Sequence, residues 1–365
     1  MSRKYWFIFI WIYAFLPAFA SAEDFQIAKD GSIKVSGINF SDSASYLKSD
    51  FFKENGMRCG TKSPPINTVS SATVKSVSHC TLALTSIQEE YWPISVTYIM
   101  PVWFHVIYKS NGTGYISGST INAQVEALNE DYAAMAGTPG RFGFNTHVQF
   151  ELAGITYTQN DEWFDSDDET AYKPALNKDP SRYVNIYTSS ASGYLGYAYF
   201  PEESAGMWWD GIVLLYSAVG GRNNSFYPYN QGRTLVHEMG HYLGLHHTFG
   251  PSEGSCENSY TGGDLIVDTP AEGVIHYNCV QTASCGTADP IHNYMSYTND
   301  ACTYQFSREQ ANRIVCSLVN YRPAAYRTFT DIPDPGDGGG DRSGSGFFVP
   351  SMLYSILLNK GAGKK

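Results

Sequence analysis

The stretch "HEMGHYLGLHH", residues 237–247, places four histidines and one glutamate within about three helical turns. Residues four apart on an α-helix share a face, so His237 and His241 point at one place and Glu238, one residue along, reaches a water held there. The pentamer HExxH is a weak signal alone, because it arises by chance in unrelated chains. Here it continues as HExxHxxGxxH, in which Gly244 can take a positive φ and turn the chain so that His247 returns as a third ligand. His246 is one residue off that register and is read as a neighbour, in an outer hydrogen bond or facing solvent.

Three imidazoles leave one tetrahedral position of a Zn²⁺ ion open to water, the arrangement of a catalytic site and not of a closed structural one. Glu238 would then take the proton of the zinc-held water as that water attacks a carbonyl, and return it to the leaving amine while the metal stabilises the oxyanion. A second run, "HNYMSY" at residues 292–297, offers a tight turn carrying a methionine. Met295 is expected as an apolar, polarizable floor beneath the metal, and Tyr297 as a phenol that reaches the oxyanion.

The bulk of the chain bounds the setting of this site. Its 365 residues, 43% hydrophobic, suffice for one large domain or two smaller ones. Lys and Arg total 24 against 35 Asp and Glu, a net charge of −11, with no arginine-rich cluster, which argues against nucleic acid as a partner. At the start, "MSRK", the apolar "YWFIFIWIYAFLPAFA" and the small residues "ASA" read as a signal peptide over residues 1–22, cleaved after Ala22. Seven cysteines fit an oxidising destination, and four of them (Cys256, Cys279, Cys285, Cys302) fall in a Gly-, Asp- and Ser-containing stretch that lacks its own core. The odd count leaves at least one thiol free or paired between chains.

Along the chain, Glu23 to Trp92 is Ser-rich and weakly periodic and reads as a small independent segment. "ISVTYIMPVWFHVIY" (94–108) reads as a buried strand, and "STINAQVEALNEDYAAM" as an amphipathic helix capped by Ser119 or Thr120. Strands are expected at "HVQFELAGITYT", "RYVNIYTSS" and "DGIVLLYSAVG", with "NDEWFDSDDET" as an acidic loop. The histidine run is expected to be helical to about Leu243, and "SREQANRIVCSLVNYR" to form a closing helix capped by Ser307. Residues 331–346 are a Gly/Pro-rich linker, and 347–365 a short apolar and basic tail that could sort or tether the protein at a membrane or cell surface.

Together these segments resemble the pappalysin, or cytophagalysin-like, family of metzincin zinc endopeptidases. "MPVWFHVIY", "ALNEDY", "NIYTSS" with "LGYAYFP", "HEMGHYLGLHHTF", "GDLIVDTP" and "DPIHNYMSYTNDACTYQFSREQ" follow in the family's order from Ile94 to Cys316. The resemblance implies an α/β catalytic domain over residues 93–330. Its upper lobe would carry a twisted, mostly parallel sheet and long helices, its lower lobe would be irregular and stapled by disulfides, and a small propeptide (23–92) would precede it. It implies zinc on His237, His241 and His247, Glu238 as general base, and Met295 and Tyr297 in the roles above. It also implies the disulfides Cys256 with Cys285 and Cys279 with Cys302, where arithmetic alone leaves three pairings open. Structural calcium on Asp264, Asp268 and Thr269 is a further implication, as is a preference for a basic residue just after the cleaved bond, with Asp300 in that pocket.

"MRCGT" at residues 57–61 resembles the cysteine-bearing propeptide segment of some relatives. A thiolate is a good zinc ligand, so Cys59 could fill the open position and keep the enzyme latent. A Cys59–Cys80 disulfide competes with that reading and would leave Cys316 as the unpaired thiol. With Cys59 as the switch, Cys80 and Cys316 pair across the prosegment boundary or stay reduced. The expected function is a secreted zinc endopeptidase acting on proteins or peptides and made as a latent zymogen. The alternative is a non-catalytic binding or adhesion protein on a metzincin scaffold, against which stand Glu238 and the complete ligand set.

Overall fold

The computed structural model describes residues 25–55, 57–62, 80, 89–93, 95–222, 224–250, 256–260 and 262–330. The expected signal peptide, linker and C-terminal tail lie outside the described residues. The first elements are three short strands, β1 (Gln26–Ile27), β2 (Ile33–Val35) and β3 (Ile38–Phe40), paired antiparallel in that order. Two short helices come next, α1 (Ser43–Lys48), started by a capping box between Asp42 and Ser45, and α2 (Asp50–Glu54), capped by Ser49.

This N-terminal region is not independent of the rest of the chain. Phe25, Ile33, Val35, Tyr46, Phe52 and Met57 are buried in one apolar cluster with Leu195, Val213, Leu215, Phe226 and Tyr229. Each large side chain so buried contributes about 1.5–3 kcal/mol, and the contacts that supply it come from residues more than a hundred positions away. Local periodicity therefore says little about the segment.

The remaining elements are β4 (Val96–Tyr108), α3 (Gly118–Tyr132), β5 (Val148–Gln159), α4 (Asp161–Ser166), α5 (Glu169–Leu176), β6 (Val184–Ser189), β7 (Gly196–Ala198), α6 (Pro201–Ser204), β8 (Ile212–Leu215), α7 (Arg233–Tyr242), α8 (Arg308–Tyr321) and β9 (Arg327–Thr330). They build a six-stranded sheet in the order β5-β4-β6-β8-β7, with β9 joined to the start of β4. The pairs β4/β5, β4/β6 and β6/β8 are parallel, whereas β7 runs antiparallel to β8 at the edge. Every residue of β6 and β8 is buried, as expected of central parallel strands covered on both faces.

The α3 helix is capped by Ser117, two residues before Ser119, its hydroxyl accepting the Thr120 N–H at 3.1 Å. The acidic stretch expected as a loop instead forms α4 and the start of α5: the Asn160 and Asp168 side chains accept the N–H groups of Trp163 and Thr170. A core of Val102, Phe104, Leu128, Ile186, Leu214, Leu235, Met239, Ile314 and Leu318 joins the sheet to α3, α7 and α8. Between α7 and α8 the described residues contain no helix or strand. That lower lobe is stapled by Cys256–Cys285 and Cys279–Cys302, while Cys80 bonds Cys316 and Cys59 stays a free, buried thiol.

Candidate zinc site

The α7 helix is anchored before it presents its histidines. Arg233 in its first turn is buried against the equally buried Asp131 of α3 at 3.2 Å, and Leu235, Val236 and Met239 face the core. On the other face, His237 Nδ1 lies 2.6 Å from the Tyr294 carbonyl and His241 Nδ1 lies 2.7 Å from the Leu245 carbonyl. A carbonyl can only accept, so both Nδ1 atoms carry the proton and both Nε2 atoms present lone pairs. Helix α7 ends at Tyr242, and Gly244 then takes φ +87° and returns the chain. His247 Nε2 arrives 2.9 Å from His241 Nε2 and 3.2 Å from His237 Nε2, with the last two also 3.2 Å apart. Acceptor nitrogens held this close favour a shared cation, and with Cys59 Sγ they form a four-donor group within 4.8 Å. The donor set fits zinc.

Burial pushes all three imidazoles below their usual range, His241 to about 3, so they stay neutral as metal ligands must. His246 does not face solvent: it is buried with its ring 4.8 Å from that of Phe200 and lies outside the donor group. Glu238 is fully buried, and burial pushes its carboxyl up to about 7, opposed by the charge of Arg58. Its Oε2 accepts from the Thr61 hydroxyl at 3.0 Å and from Cys59 Sγ at 3.4 Å, whereas Oε1 has no hydrogen-bond partner.

Residues 57–62 lie along the edge strand over the histidines. The Leu195 N–H donates to the Met57 carbonyl, the Gly60 N–H to the Gly196 carbonyl, and the Ala198 N–H to the Thr61 hydroxyl, at 2.8–3.0 Å. The Tyr297 hydroxyl donates to the Cys59 carbonyl at 3.2 Å. Arg58 is buried with its guanidinium 5.0 Å from the Tyr229 ring centroid. Asp300 lies below, its Oδ2 accepting the Gln231 and Arg233 N–H groups; burial pushes its carboxyl up and the charge of Arg58 opposes this.

Met295 is fully buried under α7, with its Sδ so close to Gly240 that a Cβ there would meet it at 2.4 Å. Its turn is held by Asn293, whose Oδ1 accepts the Met295 N–H and whose side chain pairs twice with Gln310 in the first turn of α8. Glu272, in the lower lobe, accepts from Ser296 and from Thr248 just past the third histidine. Sequence reasoning passed over Thr61, Arg58, Glu272 and Gln310. Thr61 and Arg58 lie in the quoted cysteine stretch; Gln310 lies inside the quoted closing helix with nothing local to mark its second role, and Glu272 carries no local signal.

The side chains expected to hold calcium take part in hydrogen bonds in this structure. Asp264 accepts from Ile266 N–H and the Thr269 hydroxyl beside the charge of Arg313, and Asp268 accepts the Glu309 N–H at the start of α8.

An α/β lobe roofing three imidazoles over a methionine turn puts the protein among the metzincin zinc metallopeptidases. The profile of the Peptidase_M43 family, described as pregnancy-associated plasma protein-A, matches residues 167–319. An extracellular metalloprotease of Colletotrichum graminicola is 37% identical over 237 residues, covering 62% of this chain and 78% of that protein. One of Neurospora crassa is 34% identical over 278 residues, 73% of this chain and 90% of its own length. Among solved structures, mature mirolysin of Tannerella forsythia in complex with a cleaved peptide is similar at a TM-score of 0.52 and 30% identity, over 64% of this chain and 99% of that one. A promirolysin mutant of the same organism gives 0.54 and 29%, over 64% and 84%. The chain belongs to this peptidase family, the pappalysins, and is a zinc metalloendopeptidase.

Proposed function

We propose that the protein is a secreted endopeptidase, made latent, in which His237, His241 and His247 hold one zinc ion and Glu238 is the general base. The observation that carries this is the closure of three imidazole nitrogens and the Cys59 thiol into one buried group beside a carboxylate. When bound, zinc supplies Lewis acidity toward a water and toward the scissile carbonyl.

The other roles belong to the chain itself. Glu238 takes a proton from the attacking water and hands it to the departing amine. Tyr297, whose O–H is given to the Cys59 carbonyl in the latent form, becomes free to donate to the developing oxyanion. Met295 keeps the floor apolar. Strand β7 and Leu195 just before it, relieved of residues 57–61, offer the main-chain groups of Leu195, Gly196 and Ala198 to an extended peptide. Asp300 selects a basic side chain after the cleaved bond, and the burial of Arg58 within reach of its charge supports that role.

Cys59 fills the fourth zinc position in the unprocessed chain, within the propeptide assigned to residues 23–92 ahead of the catalytic domain at 93–330. The names extracellular metalloprotease and promirolysin, borne by relatives, support export and a proform. The signal peptide at 1–22 would direct export, and the tail at 347–365 would retain the enzyme at a cell surface. Asp264, Asp268 and Thr269 remain the proposed holders of a structural calcium ion.

Two treatments test the reading on the processed enzyme. A zinc chelator should abolish casein cleavage, and Glu238→Ala should lower peptide hydrolysis by roughly 100- to 10,000-fold with one zinc ion still bound. Turnover at the wild-type rate in that variant would contradict the role of Glu238.

A further inference from the structure

The closing helix carries a covalent tie that the zinc site does not require. Cys80 is bonded to Cys316 of α8 across 236 residues of chain, with the Cα atoms 5.5 Å apart. Both cysteines are buried, and the Asn320 amide beside them donates to the Cys316 carbonyl at 2.9 Å. A 3-10 turn at Glu89–Tyr91 packs on the same helix, and the next residue, Trp92, lies under the Arg308 guanidinium, 4.1 Å from its ring centroid. Cys80 and Glu89–Trp92 are thus all attached to α8.

The part that fills the cleft is attached differently. Among the described residues from Phe25 to Thr61 it has no disulfide to the domain and meets it through packing, hydrogen bonds and the charge of Arg58, its one cysteine being the free thiol. The region expected to be a single propeptide thus has two modes of attachment, one reversible and one covalent.

We propose that only the part up to Thr61 is removable, and that Cys80 and the residues after it stay bonded to α8 as a permanent piece of the mature enzyme. The activating hydrolysis then breaks one peptide bond between Thr61 and Cys80. The physical reason is effective concentration. A cut after Cys80, including one at the boundary expected at Trp92, would leave the cleft segment tethered to α8 through the disulfide. A short tether holds its load at millimolar concentration, so Cys59 would keep returning to the site. A cut before Cys80 lets the inhibitor dilute away.

The retained piece has a use of its own. On α8, Ser317 sits where a Cβ on Gly244 would meet its Oγ at 2.4 Å, and Gln310 braces the methionine turn. The disulfide therefore pins a helix that touches both the bend before the third histidine and the floor beneath the ligands.

This inference rests on the latent-zymogen reading, and one experiment separates the two. The full chain is allowed to process, or is activated with trypsin, and intact mass and N-terminal sequence of the active product are read before and after reduction. The expected product retains Cys80, either on its own N-terminal stretch or as a peptide released only by reductant, and Cys316 resists iodoacetamide until reduced. An active product that lacks Cys80 and whose Cys316 alkylates without reductant would overturn the proposal, as would one still carrying Cys59 through the disulfide. Latency is read separately, as peptide cleavage by the unprocessed chain, where full activity would refute the zymogen reading alone.

Discussion

Gly244 turns the chain at φ +87°, and a methyl group there would also press on Ser317. Gly244→Ala is therefore expected to lose about 1–3 kcal/mol of stability and, because His247 depends on that bend, to bind zinc more weakly. Urea unfolding and metal analysis would check both; unchanged values would mean that the bend is tolerant. This residue was legible, because its spacing within HExxHxxGxxH has a geometric meaning. His246 was legible as a bystander, but its burial against Phe200 was not, since no local pattern announces a ring contact from the distant N-cap of α6. Thr61 escaped for the same reason: its hydroxyl matters only because folding carries it to Glu238, 177 positions away.

At the scale of elements, α7 and α8 are coupled through the turn between them. Gln310 serves twice, closing the capping box of α8 with Ser307 and pairing with Asn293 beneath Met295. Gln310→Ala leaves the buried Asn293 amide without that partner and should cost about 1–3 kcal/mol, with a fall in kcat as the floor loosens. A thermal melt and steady-state kinetics would show it, and a variant equal to wild type in both would contradict the brace. Strands β4, β5, β6 and β8 and helices α3, α7 and α8 could be read from periodicity and apolar runs. Strands β1 to β3 could not, because two or three residues are too short to carry a period. The acidic stretch 160–170 was misread as a loop because its charge outweighed the capping signals of Asn160 and Asp168.

For the whole molecule, the N-terminal residues 25–61 are part of the core. Phe25, Tyr46, Phe52 and Met57 share a cluster with Leu195, Phe226 and Tyr229, so the removal of this segment proposed above would expose apolar surface that it now covers. The processed enzyme is accordingly expected to melt several degrees below the unprocessed chain and to bind a hydrophobic dye more strongly. A processed form that melts at the same temperature would show that the segment adds no stability. Composition could suggest a propeptide but not this shared core, whose contacts exist only after folding.

The claim beneath all of these scales is that one zinc ion sits on His237, His241 and His247 with Cys59 as its fourth ligand until processing. X-ray absorption at the zinc edge reads this directly. The unprocessed chain should show one sulfur at about 2.3 Å and three nitrogens at about 2.0–2.1 Å, and the processed enzyme should show the nitrogens without the sulfur. Nitrogen and oxygen ligands alone in both forms would contradict the account.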